Sequence, residues 1–197
     1  MGKELRDGYR RRVFLMTKID GRDRRTATAQ LEESLRRLQT DTIDLVEFHE
    51  VARPEDADML FAPGGGIEGL VEARQAGKLR FIGFSGHKSP AAHLGLLDRA
   101  ARHGFVFDAV QMPLNVMDAH FRSFESEVIP ALQQHDIGVI GMKTLGGSHI
   151  VKSGVVSGDS GGGKITKTGA GTLVFSNAGN THDKKVQINA GTVSISA

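Results

Sequence analysis

The sequence contains no cysteine and no long apolar run. Without cysteine, disulfide bonds and thiolate metal sites are excluded, so packing alone must hold the fold of these 197 residues. No apolar stretch approaches the roughly 18 residues that a membrane-spanning helix needs, and residues 1–7 contain no apolar signal-peptide core. We therefore expect a cytoplasmic protein without membrane association.

Aromatic residues are also few, because the chain has no tryptophan and Tyr9 is its single tyrosine. The 25 basic residues barely exceed the 23 acidic ones, which gives a net charge of +2. Basic residues are densest at 10–12 and 22–25, without aromatic residues between them. Because a nucleic-acid site needs a concentrated basic face, we do not expect nucleic acid as a partner. The length fits either one good-sized domain or one domain with an appendage.

The most informative stretch is the apolar run at 43–48, which ends in His49. Its length and the turn residues around it predict a buried strand. Parallel α/β folds place their chemistry at the C-terminal ends of strands, so His49 is a candidate site residue. The alternative is a histidine whose ring is satisfied by backbone at a strand end. The surrounding pattern favours the first interpretation.

Strands and helices alternate through the rest of residues 1–156. Apolar runs predict further strands at 13–18, 79–84, 107–112 and 137–142. Helical periodicity predicts helices at 28–38, 67–75, 90–102 and 124–134. Between the strand at 43–48 and the helix at 67–75 we expect a loop through Pro54 and residues 64–66. Such alternation predicts βαβ units and a parallel sheet.

Each of the five predicted strands ends in a polar residue. These tip residues are Lys18, His49, Ser85, Gln111 and Lys143. They can meet at one edge if the sheet curls into a barrel. A doubly wound sheet is the competing architecture, but its glycine-rich turn follows a strand, whereas the glycines at 64–66 lie in a loop. We therefore predict an α/β barrel segment of about five βα units.

The composition changes at about residue 157. Residues 157–163 read as a Gly/Ser linker, and residues 164–197 alternate Thr, Val, Ile and Ser with glycine turns. The sequence at 169–174 is echoed at 190–195, which predicts an internal repeat and a short β-solenoid-like tail. Because two rungs cannot bury a core of their own, the tail should either be poorly ordered or lean on the α/β part.

Three weaker signals are interpreted structurally. Residues 158–162 spell a serine-protease motif, but His93 lies in a predicted amphipathic helix, so Ser160 is interpreted as a linker serine. His87 and His93 have no third ligand nearby in sequence, and no metal site is expected. Lys18 and Lys143, taken singly, could be solvated strand ends.

Residues 2–155 resemble the central part of an aldo-keto reductase. The resemblance is carried by residues 13–18, 34–38, 43–49, 82–87, 110–120 and 138–147. Residues 161–197 resemble a passenger-associated repeat of bacterial autotransporters. The first resemblance implies a (β/α)8 TIM-type barrel, present here as an incomplete segment, that reduces a small carbonyl substrate with NADPH.

The resemblance also implies roles for the strand tips. Lys18 would lower the pKa of a catalytic tyrosine, and His49 would orient the carbonyl. The implied cofactor-binding residues are Ser85, Gly86, Gln111, Met142 and Lys143. Of these, Ser85 and Gln111 would bond the nicotinamide amide. Gly86 stands where many members have asparagine, and Met142 where many have an aromatic residue, as in one branch of the family.

The family's catalytic aspartate and tyrosine have no counterpart in the sequence. Tyr9 precedes the strand at 13–18 and would lie roughly 20 Å from its tip, at ~3.3 Å per residue. We therefore expect a truncated, inactive reductase. The alternative is a non-catalytic surface or interaction protein built around the repeat. Open barrel edges at 13–18 and 137–142 would allow self-association.

Overall fold

The computed structural model describes residues 2–115, 118 and 122–146 and the strand segments 166–167, 172–176, 187–188 and 192–196. The strands are β1 Met16–Ile19, β2 Ile43–Phe48, β3 Leu79–Ser85, β4 Ala109–Pro113, β5 Gly138–Met142, β6 Thr166–Lys167, β7 Thr172–Ser176, β8 Gln187–Ile188 and β9 Thr192–Ser196. The helices are α1 Arg24–Leu38, α2 Pro54–Phe61, α3 Gly66–Gln75, α4 Pro90–Arg102, α5 Phe124–Glu127 and α6 Ile129–Gln134, preceded by 3-10 turns at Gly2–Leu5 and Tyr9–Arg12.

The first five strands pair in chain order, and every pair is parallel. This is the order of a barrel wall, in which each strand lies beside the next one along the chain. The predicted α/β architecture of about five βα units is therefore confirmed. None of the helices in the described part of the chain has the length and apolar character needed to cross a membrane.

The sheet has two differently filled faces. Its outer face packs against the helices and carries the larger core, which includes Val46, Phe48, Ile82 and Phe84. Its inner face carries a small apolar cluster of Leu45, Ala109 and Ile140, against which Met16 and Phe81 pack. Because side chains alternate along a strand, the residues two positions beyond this cluster point inward at the C-terminal edge.

Asp44 ties the opposite end of the sheet together. This buried carboxylate accepts a hydrogen bond from Leu15 N at 2.8 Å and pairs with Arg10 at 2.9 Å and Arg80 at 2.7 Å. Burial alone would raise the pKa of Asp44, but the bonds from Leu15, Arg80 and Arg10 outweigh it and hold the pKa below its usual value. The network joins β1, β2 and β3 to the 3-10 turn at Tyr9–Arg12.

Two expectations about helices were wrong. The predicted loop through Pro54 contains α2, and Pro54 is the first residue of this helix. The buried Ala57 and Leu60 of α2 face the core. The predicted single helix at 124–134 is broken into α5 and α6 at Val128. Pro130 explains the break, because it lacks an N–H and its ring clashes with the preceding turn.

The repeat tail continues the sheet. β7 pairs parallel to β5 in register Ile140↔Thr172, and β9 pairs parallel to β7 in register Thr172↔Thr192. The two echoed sequence segments therefore form stacked, equivalent strands, as the predicted repeat requires. The tail therefore pairs with the α/β part, which is one of the two outcomes that the sequence analysis expects for it. The predicted linker at 157–163, with Ser160, lies outside the described residues.

Candidate functional site

The C-terminal edge of the five-stranded sheet brings several predicted site residues together. Lys18 on β1 donates a hydrogen bond to Gln111 Oε1 on β4. Ser85, at the end of β3, lies in register with Gln111 on the neighbouring strand. Ser85 is fully buried and Gln111 nearly so. A cation, a hydroxyl and an amide are thus neighbours on the inner face.

Glu47 belongs to the same group, although the sequence analysis did not select it. Its position on β2 is in register with Lys18, and Lys18 Nζ lies 3.4 Å from Glu47 Oε2. Glu47 is 0% exposed, and neither carboxylate oxygen makes a hydrogen bond to a described residue. Burial raises the pKa of Glu47 to about 7, although the Lys18 ammonium opposes the shift. The period-two alternation from His49 back to Leu45 was the signal that could have found it.

His49 is fixed at the tip of β2 by its backbone and its ring. Its N–H donates to Ile19 O at 2.8 Å, and its carbonyl accepts from Arg22 Nη2 at 2.6 Å. Arg22 in turn pairs with the buried Asp56 at 3.2 Å. The His49 Nδ1 atom lies 2.9 Å from the exposed Asp20 Oδ1. The imidazole is therefore oriented from one side and leaves its Nε2 atom for another partner.

Gly86 is required by close packing behind the site. Its N–H donates to Gln111 O at 3.1 Å, which continues the pairing of β3 and β4. A Cβ atom here would lie 2.5 Å from His93 Cε1 and 2.5 Å from Val51 O. The backbone at Gly86 therefore has no room for asparagine, which accounts for the departure seen in the sequence.

His93 supports the site from behind. It is fully buried on α4, its Nδ1 lies 3.1 Å from Ser89 O, and its ring packs on Phe84 and Phe124. Burial lowers the pKa of His93 to about 4, so the ring is neutral at physiological pH. No group of three His, Asp or Glu residues suited to a metal ion occurs within the described part of the chain.

His87 is a second site residue that sequence reasoning missed, since it was considered only as a metal ligand. Its Nδ1 atom is buried and makes no hydrogen bond to a described residue. Burial is the largest cause that lowers the pKa of His87, and the positive charge of Lys143 is the second. His49 and Lys18 lower it further. Its imidazole is therefore neutral and lies among the strand tips, ready to bond a ligand.

Met142 and Lys143 occupy the tip of β5. Met142 is buried and in register with Pro113 on β4. Lys143 is exposed and has a positive φ of 53°, and its carbonyl accepts from Gly146 N at 2.8 Å. The turn therefore directs the chain away from the sheet edge while the Lys143 ammonium stays beside the site.

A groove of about 340 Å³ lies elsewhere, between α2 and α4. Small residues such as Ala57, Ala92 and Gly95 line it together with Arg99 and Asp58. Arg99 and Asp58 pair with each other. The groove contains none of the residues at the strand tips and carries no constellation of reactive groups.

A family comparison agrees with this geometry. The model of the Aldo/keto reductase family matches residues 1–169. The chain belongs to this family. A second model, the Passenger-associated-transport-repeat, matches residues 165–195. The resemblance of the tail to autotransporter repeats is thereby confirmed. Strands β6, β7 and β8 fall within that match, and β9 extends one residue beyond it.

Solved structures of aldo-keto reductases share the fold. The holo form of AKR11C1 from Bacillus halodurans is 25% identical, with a TM-score of 0.59 over 74% of this chain and 47% of that protein. PA4992 from Pseudomonas aeruginosa is 23% identical, with a TM-score of 0.57 over 72% of this chain and 54% of that protein. This aldo-keto reductase chain thus spans about half the length of these structures.

The strand tips of this aldo-keto reductase fit a nicotinamide carboxamide. A carboxamide needs a donor and an acceptor side by side, and Ser85 and Gln111 lie in register on adjacent strands. Among the described residues, Ser85 Oγ accepts a long hydrogen bond, of 3.4 Å, from Glu50 N. The Nδ1 atom of His87, which bonds none of the described residues, offers a further bonding atom at the same edge.

Proposed function

We propose that this chain carries the nicotinamide-facing and carbonyl-orienting part of an NADPH-dependent oxidoreductase that acts on small carbonyl compounds. The observation that carries the proposal is the grouping of Lys18, Gln111 and Ser85 on one inward-facing edge. A bound NADPH would supply the hydride. Ser85 and Gln111 would hold its carboxamide, with Met142 packing nearby and Lys143 contributing positive charge.

His49 would orient the substrate carbonyl. Its Nδ1 faces Asp20 at 2.9 Å, which leaves Nε2 as the atom for a carbonyl oxygen. The buried Phe48 and Ile19 anchor the strand ends beside it, and Asp20 orients the ring from one side. Oriented hydrogen bonding of this kind lowers the cost of bringing the carbonyl into reach.

Of the steps in carbonyl reduction, proton donation is the one that these residues support least. The single tyrosine, Tyr9, is exposed and belongs to the 3-10 turn before β1, at the opposite end of that strand from Lys18. A well-placed general acid contributes about 10²- to 10⁴-fold to such reactions. We propose that the 197-residue chain binds NADPH but reduces carbonyls very slowly, in a cytoplasmic setting.

A fluorescence titration with NADPH tests the proposal. We expect saturable binding by the intact chain and about fivefold weaker binding by Gln111→Ala, because one hydrogen bond contributes about 1 kcal/mol. Gln133→Ala is the matched control, since Gln133 is an exposed glutamine on α6. Absence of saturable binding by a folded sample, or equal loss in both variants, would contradict the proposal.

The repeat tail supports a second candidate function, association through strands. β9 ends the seven-stranded sheet on one side and β1 ends it on the other. A strand at the end of a sheet can pair with another chain. A non-catalytic interaction protein would assemble through these edges. The barrel segment would self-associate through the same edges. Sedimentation velocity tests this: concentration-dependent oligomers support it, and a monomer at all concentrations opposes it.

A further inference from the structure

Glu47 is an unusual residue for the inside of a sheet. Its side chain is fully buried, and its two oxygens lack hydrogen bonds among the described residues. An isolated carboxylate in such a place is costly, so a partner that compensates its charge decides whether it stays ionised. Lys18 Nζ, at 3.4 Å, is the cation that faces it.

Among the described residues, the strands on either side of Glu47 place one charged residue in register with it. On β1 its register neighbour is Lys18, and on β3 its register neighbour is Gly83, which has no side chain. On β2 itself, His49 follows two residues later on the same face. Lys18 in turn bonds Gln111 on β4, which is neutral. The ammonium therefore lies between one ionisable partner and one neutral partner.

We propose that Glu47 is a positioning residue, which sets where the Lys18 ammonium lies and how much positive charge it presents to the ligand edge. This rests on the proposed function, because Lys18 and Gln111 belong to the proposed cofactor edge. When Glu47 is ionised, it draws Lys18 toward β2 and neutralises it. When Glu47 is protonated, Lys18 bonds Gln111 alone and its full charge faces the site.

The protonation state changes in a useful range. Burial brings the pKa of Glu47 to about 7, so both states of the pair are populated near neutral pH. Ionisation of Glu47 with rising pH would reduce the attraction of the edge for an anionic cofactor. A carboxylate with a merely structural role would titrate without changing the affinity of the edge for that cofactor.

The test follows the glutamate carboxyl and lysine ε-carbon signals of the full-length protein by NMR between pH 5 and 9. We expect one carboxyl signal to titrate near pH 7, and the Lys18 signal to show the same midpoint. Glu47→Gln removes both inflections. Glu32→Gln leaves them in place, because Glu32 forms an exposed ion pair with Lys78 at 2.5 Å. A Lys18 signal without an inflection overturns the proposal.

A second variant keeps the test decisive if Glu47→Gln fails to fold. Lys18→Met removes the compensating charge and is expected to shift the Glu47 midpoint upward, and an unchanged midpoint contradicts the pairing. NADPH titrations at pH 6 and pH 8.5 separate this inference from the proposed function. Tighter binding at pH 6 that Glu47→Gln makes independent of pH supports both. If a folded sample binds no NADPH, the proposed function fails, and the Lys18 signal still decides the inference.

Discussion

Gly86 illustrates how a single residue shapes the site. Its backbone passes so close to His93 and Val51 that a methyl group has no space. The backbone instead bonds Gln111 directly, which keeps β3 and β4 together where Ser85 and Gln111 meet. The absence of a side chain at this position is therefore part of the site's construction.

Gly86→Ala should destabilise the protein. Insertion of a methyl group against His93 and a backbone carbonyl costs about 1–3 kcal/mol, because the carbonyl cannot move away. Gly95→Ala is the matched control: Gly95 lies in α4 with open space around it, and alanine there should stabilise by about 0.5–1 kcal/mol. Urea unfolding measures both changes. Equal stabilities of the two variants would show that the close approach does not exist.

Glu47 should make stability depend on pH. A carboxyl whose pKa is raised on folding binds its proton more tightly in the folded chain. Its contribution is therefore fully present below pH 4.5, falls between pH 4.5 and about 7, and is constant above. At 1.36 kcal/mol per pKa unit the difference is about 3 kcal/mol. Glu47→Gln should flatten this part of the profile in urea unfolding, whereas Glu32→Gln should reproduce the wild-type slope.

The sequence pointed to the strand tips more reliably than to the residues behind them. Lys18 and Gln111 were found because each ends an apolar run, and the structure brings them into contact. Glu47 and His87 were missed for different reasons. Glu47 lies inside an apolar run, where only the alternation of side chains reveals its direction. The environment of His87 includes the charge of Lys143, which follows β5 and lies 56 residues further along the chain, a separation that no local pattern encodes.

At the scale of elements, Asp44 joins strands and a turn that are separate in the sequence. It binds Arg10 and Leu15, which both precede β1, and Arg80 on β3. Because the carboxylate is buried, loss of this one group leaves two cations and an N–H without their partner. Asp44 therefore holds together the N-terminal ends of β1, β2 and β3.

Asp44→Ala should destabilise the protein strongly. Breaking a buried ion pair on one side costs about 3–5 kcal/mol. The lowered pKa of Asp44 means that its contribution is present above about pH 4 and is lost as the pH falls through that lowered pKa. Asp98→Ala, which removes an exposed helical pair with Arg102, should change stability by less than about 1 kcal/mol. Thermal unfolding at pH 7 distinguishes them, and equal losses would contradict this role.

Element boundaries were predictable where caps and periodicity agree. The helix at Pro90–Arg102 was predicted to the residue, because Pro90 begins it and Gly104 follows it. The helix at Pro54–Phe61 was missed because its eight residues span two turns and adjoin a glycine cluster, so periodicity gives little signal. The break at Val128 was not predicted, although Pro130 is a sequence signal for it.

At the scale of the whole molecule, the repeat tail and the barrel segment share one sheet. β5 would otherwise end the sheet, but β7 covers its edge, and β9 follows. The repeat itself was predictable from its echoed sequence. Its pairing with β5 was not, because no local signal specifies which strand an open edge will accept.

Thr172→Pro should uncouple the tail from the barrel segment. Proline within a strand removes a ladder donor, and Thr172 lies in register with both Ile140 and Thr192. Amide exchange along Gly138–Met142 should therefore become faster. Thr166→Pro is the control, because Thr166 pairs with Gln187 in the separate two-stranded sheet. Unchanged protection of β5 in the Thr172 variant would mean that β7 does not cover that edge.

The most direct measurement is an amide NMR titration of the intact chain with NADPH. The proposed site predicts saturable shifts of Gly86, His87, Gln111 and Lys143, which lie together at the C-terminal edge of the sheet. Signals of Ala92 and Gly95, in the groove between α2 and α4, should not move. Shifts confined to that groove, or no shifts in a folded sample, would contradict a cofactor edge at these strand tips.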